Sequence, residues 1–286
     1  MSIKSINPQD IPTADMHQYL LSAVAPRPIA FVSTVDEAGN ANLAPYSFFN
    51  AFSSNPPILV FSSNRRVKNN TTKDTLHNVT ATREAVINVI SHNIVRQAAL
   101  AACEYAHDVD EFVKAGFTKL PSEVVKAYRV AEAPVQMECI INDIIPLGEH
   151  GGAGNLIICE VVRFHVHESV LDERGKIDQQ KIDLMGRMGR IFYVRASGEA
   201  IFPIAQPVEP LGMGFDNLPV ELLHSTVLTG NDLAMLAGVP DMPTPEAIAA
   251  LRPTITGIDT LTQKHTLVQA YLQKNDIATA WKVALL

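Results

Sequence analysis

Cysteine is scarce, and charge of one sign never gathers. The 286-residue chain holds Cys103, Cys139 and Cys159, an odd number with no CxxC pair. Neither a disulfide framework nor a zinc site is therefore expected to organise it. Lysine and arginine total 23 against 30 aspartates and glutamates, a net charge of −7. The basic stripe that a phosphate backbone requires is missing, and no nucleic-acid partner is expected. No run nears the roughly 20 apolar residues of a membrane span, and MSIKSINPQD lacks the apolar core of a signal peptide. A soluble, cytoplasmic protein without a membrane partner is the expectation. A GxxxxGK(S/T) loop and a GxSxG elbow are also missing, and GRMGR (186–190) is too short and isolated to be a dinucleotide fingerprint. What remains, 47% apolar and 19% charged, is the composition of a globular protein with one large domain or a medium domain and an appendage.

Strand signals dominate the first two-thirds. PIAFVSTV (28–35) is β-branched and aromatic, DEAGN (36–40) is a hairpin loop with Gly39 available for positive φ, and ANLAPYSFF leads away from it. Pro56 and Pro57 introduce ILVFSS, a continuous apolar run of the buried-strand type. AVINVI (85–90) is a further strand, and its Asn88 must find a backbone partner if buried. Asp74 is the expected cap of a short helix through TLHNVTAT, and Ser91 that of a helix through SHNIVRQAALAACEY. Residues 105–134 read as a charged, proline-punctuated surface excursion. Two longer strands, 134–147 and 155–170, flank GEHGGAGN, whose glycines would let a ligand approach the backbone closely. Antiparallel strands without a βαβ period favour a closed or partly open barrel over a doubly wound sheet.

Past about residue 198 the character changes to short helices. Asp232 caps LAMLAG, Thr244 with Pro245 opens EAIAAL, and TLTQKHTLVQAYLQK is amphipathic. The expected division is 1–198 for the barrel and 199–286 for a helical extension. The extension is small and proline-broken, and is expected to pack on the barrel or on a partner subunit.

Three places carry candidate chemistry. The first is Leu43–Ser62, LAPYSFFNAFSSNPPILVFS, where aromatic rings alternate with small hydrogen-bonding groups. It is either an irregular core crossing or a loop shaped around a flat amphipathic ligand. With it goes KDTLHN (73–78): Lys73, Thr75 and a helix start supply the cation, hydroxyl and free N–H groups that a phosphate monoester needs. Arg65, Arg66, Ser62 and Ser63 lie just upstream; an ordinary solvated loop would carry the same residue types. The second is His165-Val-His167, two histidines on one strand face without a third ligand, read as a solvated outer face and not as a metal site. The third is His150 in GEHGGAGN, a loop histidine able to orient a nicotinamide.

RPIAFVSTVDEAGNANLAPYSFFNAFSSNPPILVFS, KDTLHNVTATREAVINVI and GAGNLIICEVV, in that order and spacing, resemble the flavin reductase-like family, the FMN-binding split-barrel group, over Tyr19–Ser197. The resemblance implies a mainly β fold with flanking helices, a six-stranded antiparallel Greek-key split β-barrel. To this the C-terminal helical extension is added. It further implies a homodimer, FMN near the subunit interface, and NADH or NADPH as electron donor. Matched position by position, Ser47, Asn50, Ala51, Phe52 and Ser53 run along the flavin ring edge and ribityl chain, and Thr34 sits at a strand end under the ring. Ser62, Lys73, Thr75 and Asn78 form the phosphate side. Gly148-Glu149-His150 stands where short relatives carry GDH, which makes His150 the catalytic candidate on the nicotinamide side.

Overall fold

Six consecutive buried residues, Ala30–Val35, form β1, and a tight loop turns it back into β2 (Ala41–Tyr46). Asp36 closes that loop by accepting from the Asn40 backbone N–H (2.8 Å) and side-chain amide (2.7 Å), and Gly39 takes φ 88°. The structure, a computed structural model, describes residues 2–255 and 257–286. After β3 (Phe49–Ser54) and β4 (Pro57–Ser62), helix α2 (Asp74–Thr82) leads to β5 (Glu84–Val89). Two small strands, β6 (Lys119–Leu120) and β7 (Arg129–Val130), precede the long hairpin of β8 (Val135–Pro146) and β9 (Asn155–Val166). A last small pair, β10 (Leu184–Arg187) and β11 (Tyr193–Ala196), follows.

Among the described residues, the main sheet has seven strands in the order β2-β1-β5-β8-β9-β4-β3, every neighbouring pair antiparallel. This corrects the expected six. The stretch after the first hairpin breaks at Ser47-Phe48 into two strands that run to opposite edges of the sheet. Tyr46 and Phe49 are three peptide links apart, at most about 11 Å, so the sheet must curl until its edges nearly meet. No ladder joins β2 to β3 among the described residues, and the curled sheet stays split there.

Inside the curl pack Val32, Phe61, Ile87, Val135, Ile157 and both buried cysteines, Cys139 and Cys159. The outer side of β1 and β2 carries a second core around Phe31 and Leu43. It is filled by Phe112, Phe117 and Val130, with Phe31 and Phe117 edge to face at 5.2 Å. Residues 105–134 are therefore half core, not only a surface excursion: α4 (Glu111–Ala115) and the β6/β7 hairpin deliver those side chains. Asn88 is satisfied as expected, donating to Phe31 O (2.9 Å) and accepting from Val130 N (2.9 Å). The helix expected over residues 91–105 shortens to α3 (Val95–Leu100), and Ser91 forms a strand bridge with Leu184 in place of a cap. A separate helix, α1 (Thr13–Ala23), precedes the sheet.

Contacts divide the chain after Phe202. From Pro203 the second unit comprises α5 (Val220–Leu223), α6 (Gly230–Ala237), α7 (Pro245–Leu251), α8 (Leu261–Gln273) and α9 (Ile277–Ala284). It has a core of its own around Leu222, Leu236, Val268, Leu272 and Trp281, more than the proline-broken sequence promised. Trp281 Nε1 donates to Leu236 O at 2.9 Å. Thr229, not Asp232, caps α6; Asp232 is the reciprocal partner in a capping box, and Thr260 with Gln263 repeats the device on α8. Thr244 caps α7 with Pro245 behind it, as the sequence indicates.

Candidate functional site

β4 ends at Ser62, and the chain then loops for ten residues before Lys73 starts α2. Lys73 occupies the cap position with extended backbone and caps nothing with its side chain; Asp74, the expected cap, is the first helical residue and pairs with His107 at 2.9 Å. The first N–H groups of such a helix end have no intrahelical partner. The Lys73 ammonium is half-buried and lies 5.0 Å from the centre of the Tyr46 ring. Burial pushes its pKa below that of an ordinary lysine, the charge of Arg66 adds to the shift, and Glu104 opposes it.

The neighbouring cations are already engaged. Arg66 pairs with Glu104 (2.8 Å) and donates to Thr71 Oγ1 and Thr72 O, while Arg65 donates to the Asn70 side chain and carbonyl. Lys73 has no carboxylate within 4.0 Å among the described residues.

Beside it stand two buried hydroxyls, Tyr46 Oη and Ser63 Oγ, that complete no hydrogen bond of good geometry with the chain. Burial raises the Tyr46 phenol pKa, opposed by the adjacent Thr75 and Ser63 hydroxyls. Leaving a buried hydroxyl unsatisfied costs about 1–3 kcal/mol, which makes these two groups acceptable chiefly as donors to something else. Behind them, Asn42 Nδ2 donates to Thr75 Oγ1 (2.9 Å) and Thr34 Oγ1 (3.2 Å), and Asn78 Nδ2 donates to the same Thr34 oxygen (3.0 Å). Thr34, Thr75 and Asn78 are thus brought together, but Thr34 is fully buried. Its hydroxyl oxygen accepts from both asparagines and fixes their side chains.

Ser62 Oγ bonds to Asn64 Oδ1 at 2.8 Å, and a Cβ on Gly154 would stand 2.6 Å from that hydroxyl. A Cβ on Gly151 would stand 2.9 Å from Val67 O. The glycines of the β8–β9 hairpin thus let it close on the chain's own 62–67 segment. Arg65 N donates to Ala153 O (2.8 Å), and Gly152 N to Arg65 O (3.0 Å). The close approach expected for a ligand is taken by protein. His150 is exposed on that hairpin tip.

Asn50, Ala51, Phe52 and Ser53 lie on the exposed edge strand β3, apart from the hydroxyl network. The ladder with β4 shifts register between Ala51 and Ser53, so Phe52 is the extra, bulged residue and is 68% exposed. Ser47, half-buried, accepts weakly from Arg27 Nε at 3.4 Å. Phe49 packs against the inner core while Phe48 meets the His17 ring at 6.1 Å, so the paired rings face different surroundings. His165 is no outer-face residue: its Nε2 lies 2.7 Å from the buried Glu138 carboxylate, and His167 turns to Ser169. Among the described residues, no group of three potential metal ligands occurs.

Sequence reasoning missed Tyr46 and Asn42 and did not place Ser63 in the site. A tyrosine inside a strand normally signals core, and that reading describes the ring of Tyr46 though not its hydroxyl.

A curled antiparallel sheet, split between its edge strands and flanked by a helix whose start lies beside a lysine with no carboxylate partner among the described residues, defines a barrel-like fold with a cationic strand–helix junction. The Flavin reductase like domain family matches residues 22–181, and the chain belongs to that family. An uncharacterized protein of Aquifex aeolicus is 37% identical over 184 residues, covering 64% of this chain and 91% of its own. The structure of nitrilotriacetate monooxygenase component B from Bacillus cereus is 33% identical with a TM-score of 0.66, covering 71% of this chain and all of its own. Flavoredoxin of Desulfovibrio vulgaris is 25% identical with a TM-score of 0.53, covering 63% and 91%. The family match ends at residue 181, so the unit from Pro203 lies beyond it.

Proposed function

We propose that this protein is an FMN flavoprotein of the flavin reductase type, a homodimer that takes electrons from NADH or NADPH and passes them to free flavin or another small acceptor. One observation carries the choice of FMN: Lys73, half-buried and without a carboxylate among the described residues, beside the buried Tyr46 and Ser63 hydroxyls, which complete no hydrogen bond of good geometry there. A phosphate monoester has three acceptor oxygens and close to two negative charges at neutral pH, which suits this donor set. Lys73 would supply the charge, and Ser63, Tyr46, Thr75 and the start of α2 the hydrogen bonds. Bound FMN would supply the hydride-accepting chemistry, and the chain its orientation and electrostatics. The exposed edge strand β3, with Asn50–Ser53, supports contact with the ring edge and cover by a second copy. His150, exposed on its hairpin, is the candidate for the nicotinamide side.

The test is steady-state oxidation of NADH and NADPH with FMN in excess. Turnover with either supports the reductase reading. Flavin bound without turnover favours a non-catalytic electron carrier, the second reading, which the likeness to flavoredoxin supports.

The lowered pKa of Lys73 adds a pH dependence. Its charge favours the bound phosphate, so affinity is full while the ammonium is protonated and falls as pH rises through its pKa. The fall should begin below the pH at which an ordinary lysine titrates, near 10.5. FMN dissociation constants measured from pH 7 to 10 should rise for the wild type and stay flatter for Lys73→Ala.

A further inference from the structure

A second cation stands without a carboxylate, at a cavity of about 200 Å³ between β2 and α3. Aliphatic side chains, Ile29, Ile90 and Val95, line one side, with Ala98 and Ala99 small enough to leave the space open, and polar groups that include Tyr46 and Ser47 line the rest. At one side Arg187 lies over the Tyr193 ring, its guanidinium carbon 4.5 Å from the ring centre, with one hydrogen bond to Phe192 O at 3.3 Å. Backbone bonds between Arg187 and Arg27 (2.8 and 2.9 Å) hold two guanidinium-bearing residues together.

Arg27 is consumed. It is buried, and its nitrogens donate to the Leu21, Val24 and Met188 carbonyls and to Ser47. Its pKa is lowered by burial and further by the charge of Arg187, so the pair's positive field is not neutralised locally. Arg187 keeps most of its five donors, and neither arginine has a carboxylate within 4.0 Å among the described residues.

We propose that this cavity is a binding site for a flat aromatic monocarboxylate. A slot of this size with one aliphatic wall accepts one ring, and the planar guanidinium fork matches a carboxylate with two parallel hydrogen bonds. The Ser47 hydroxyl, also on the lining, adds one donor. A phosphate group would bring more charge and three oxygens to a site that offers one unengaged cation. The cavity shares Tyr46 and Ser47 with the residues assigned to FMN, so it is probed in flavin-free protein and FMN binding is read apart from it.

The experiment is titration of the full-length, flavin-free protein with benzoate, followed by ligand-observed NMR, with benzamide and inorganic phosphate as comparison probes. Saturable benzoate binding should exceed that of benzamide and phosphate by at least about tenfold. Loss of one charge-assisted contact should make Arg187→Met bind benzoate roughly ten- to a hundredfold more weakly. Should Arg187→Met fail to fold, Ala99→Trp, at an exposed helical position, decides by blocking the slot. Equal binding of benzoate and benzamide, or unchanged benzoate affinity in a folded Arg187→Met or in Ala99→Trp, overturns the proposal. FMN binding is read separately, and its failure would bear on the proposed function alone.

Discussion

Replacing Lys73 by alanine is expected to weaken FMN binding by roughly one to two orders of magnitude, the cost of about 1.5–3 kcal/mol for one charge-assisted hydrogen bond. The effect should be large for a surface-adjacent lysine because this one is half-buried and meets no carboxylate among the described residues. Its charge is unspent in the free protein. Arg66 cannot take over, since Glu104 and the Thr71–Thr72 segment already hold it. Riboflavin, which lacks the phosphate, supplies the control: its affinity should be the same in wild type and Lys73→Ala. Equilibrium titrations followed by flavin fluorescence give both constants. An FMN dissociation constant unchanged by the substitution would remove Lys73 from the site.

Glu138→Ala is expected to destabilise the first unit by roughly 3–5 kcal/mol, the range for breaking a buried ionic network on one side. Glu138 has no exposed surface, sits mid-strand on β8, and accepts from three consecutive N–H groups: Glu123 (2.9 Å), Val124 (2.7 Å) and Val125 (3.1 Å). His165 adds a fourth contact at 2.7 Å. Burial alone would raise the carboxyl pKa, but these bonds together outweigh it and bring it down from 4.5 to about 2. A carboxylate with a depressed native pKa stabilises fully above its unfolded value and loses that contribution as pH falls through the native value. The window is therefore between about pH 4.5 and about pH 2, and the amount lost is about 3 kcal/mol by the same linkage. Scanning calorimetry should show a melting temperature lower by on the order of 10 °C for Glu138→Ala at pH 7. It should also show the wild type losing most of that difference at pH 2. Identical melting at neutral pH would mean that the 123–125 turn finds other acceptors.

The strands were legible wherever apolar, β-branched residues run without interruption, as in β1, β4, β5 and the β8–β9 hairpin. The break at Ser47-Phe48 was not. Nothing in the local composition says that two adjacent strands will run to opposite edges of one sheet, since that depends on pairing with residues more than a hundred positions later. Phe112 and Phe117 escaped for a similar reason: they stand in a short charged stretch, DEFVKAGFTK, with no sustained apolar period to mark a buried face. In the proposed site, Lys73 and Thr75 had a physical reading, a cation and a hydroxyl at a helix start, which an ordinary solvated loop shares, and Asn78 came in only with the family resemblance. Tyr46 was hidden because a ring inside a strand looks like core. The glycines of the β8–β9 hairpin misled in the opposite direction, since close backbone approach has the same sequence signature whether the visitor is a ligand or the chain's own Arg65–Val67.

Whether the site around Lys73 takes the phosphate of FMN is decided by one equilibrium measurement. Purified protein titrated in parallel with FMN and riboflavin should bind FMN saturably, one per chain, at least about tenfold more tightly than riboflavin, and carry the flavin spectrum through gel filtration. Protein that retains no flavin, or that binds FMN and riboflavin equally well, would contradict it.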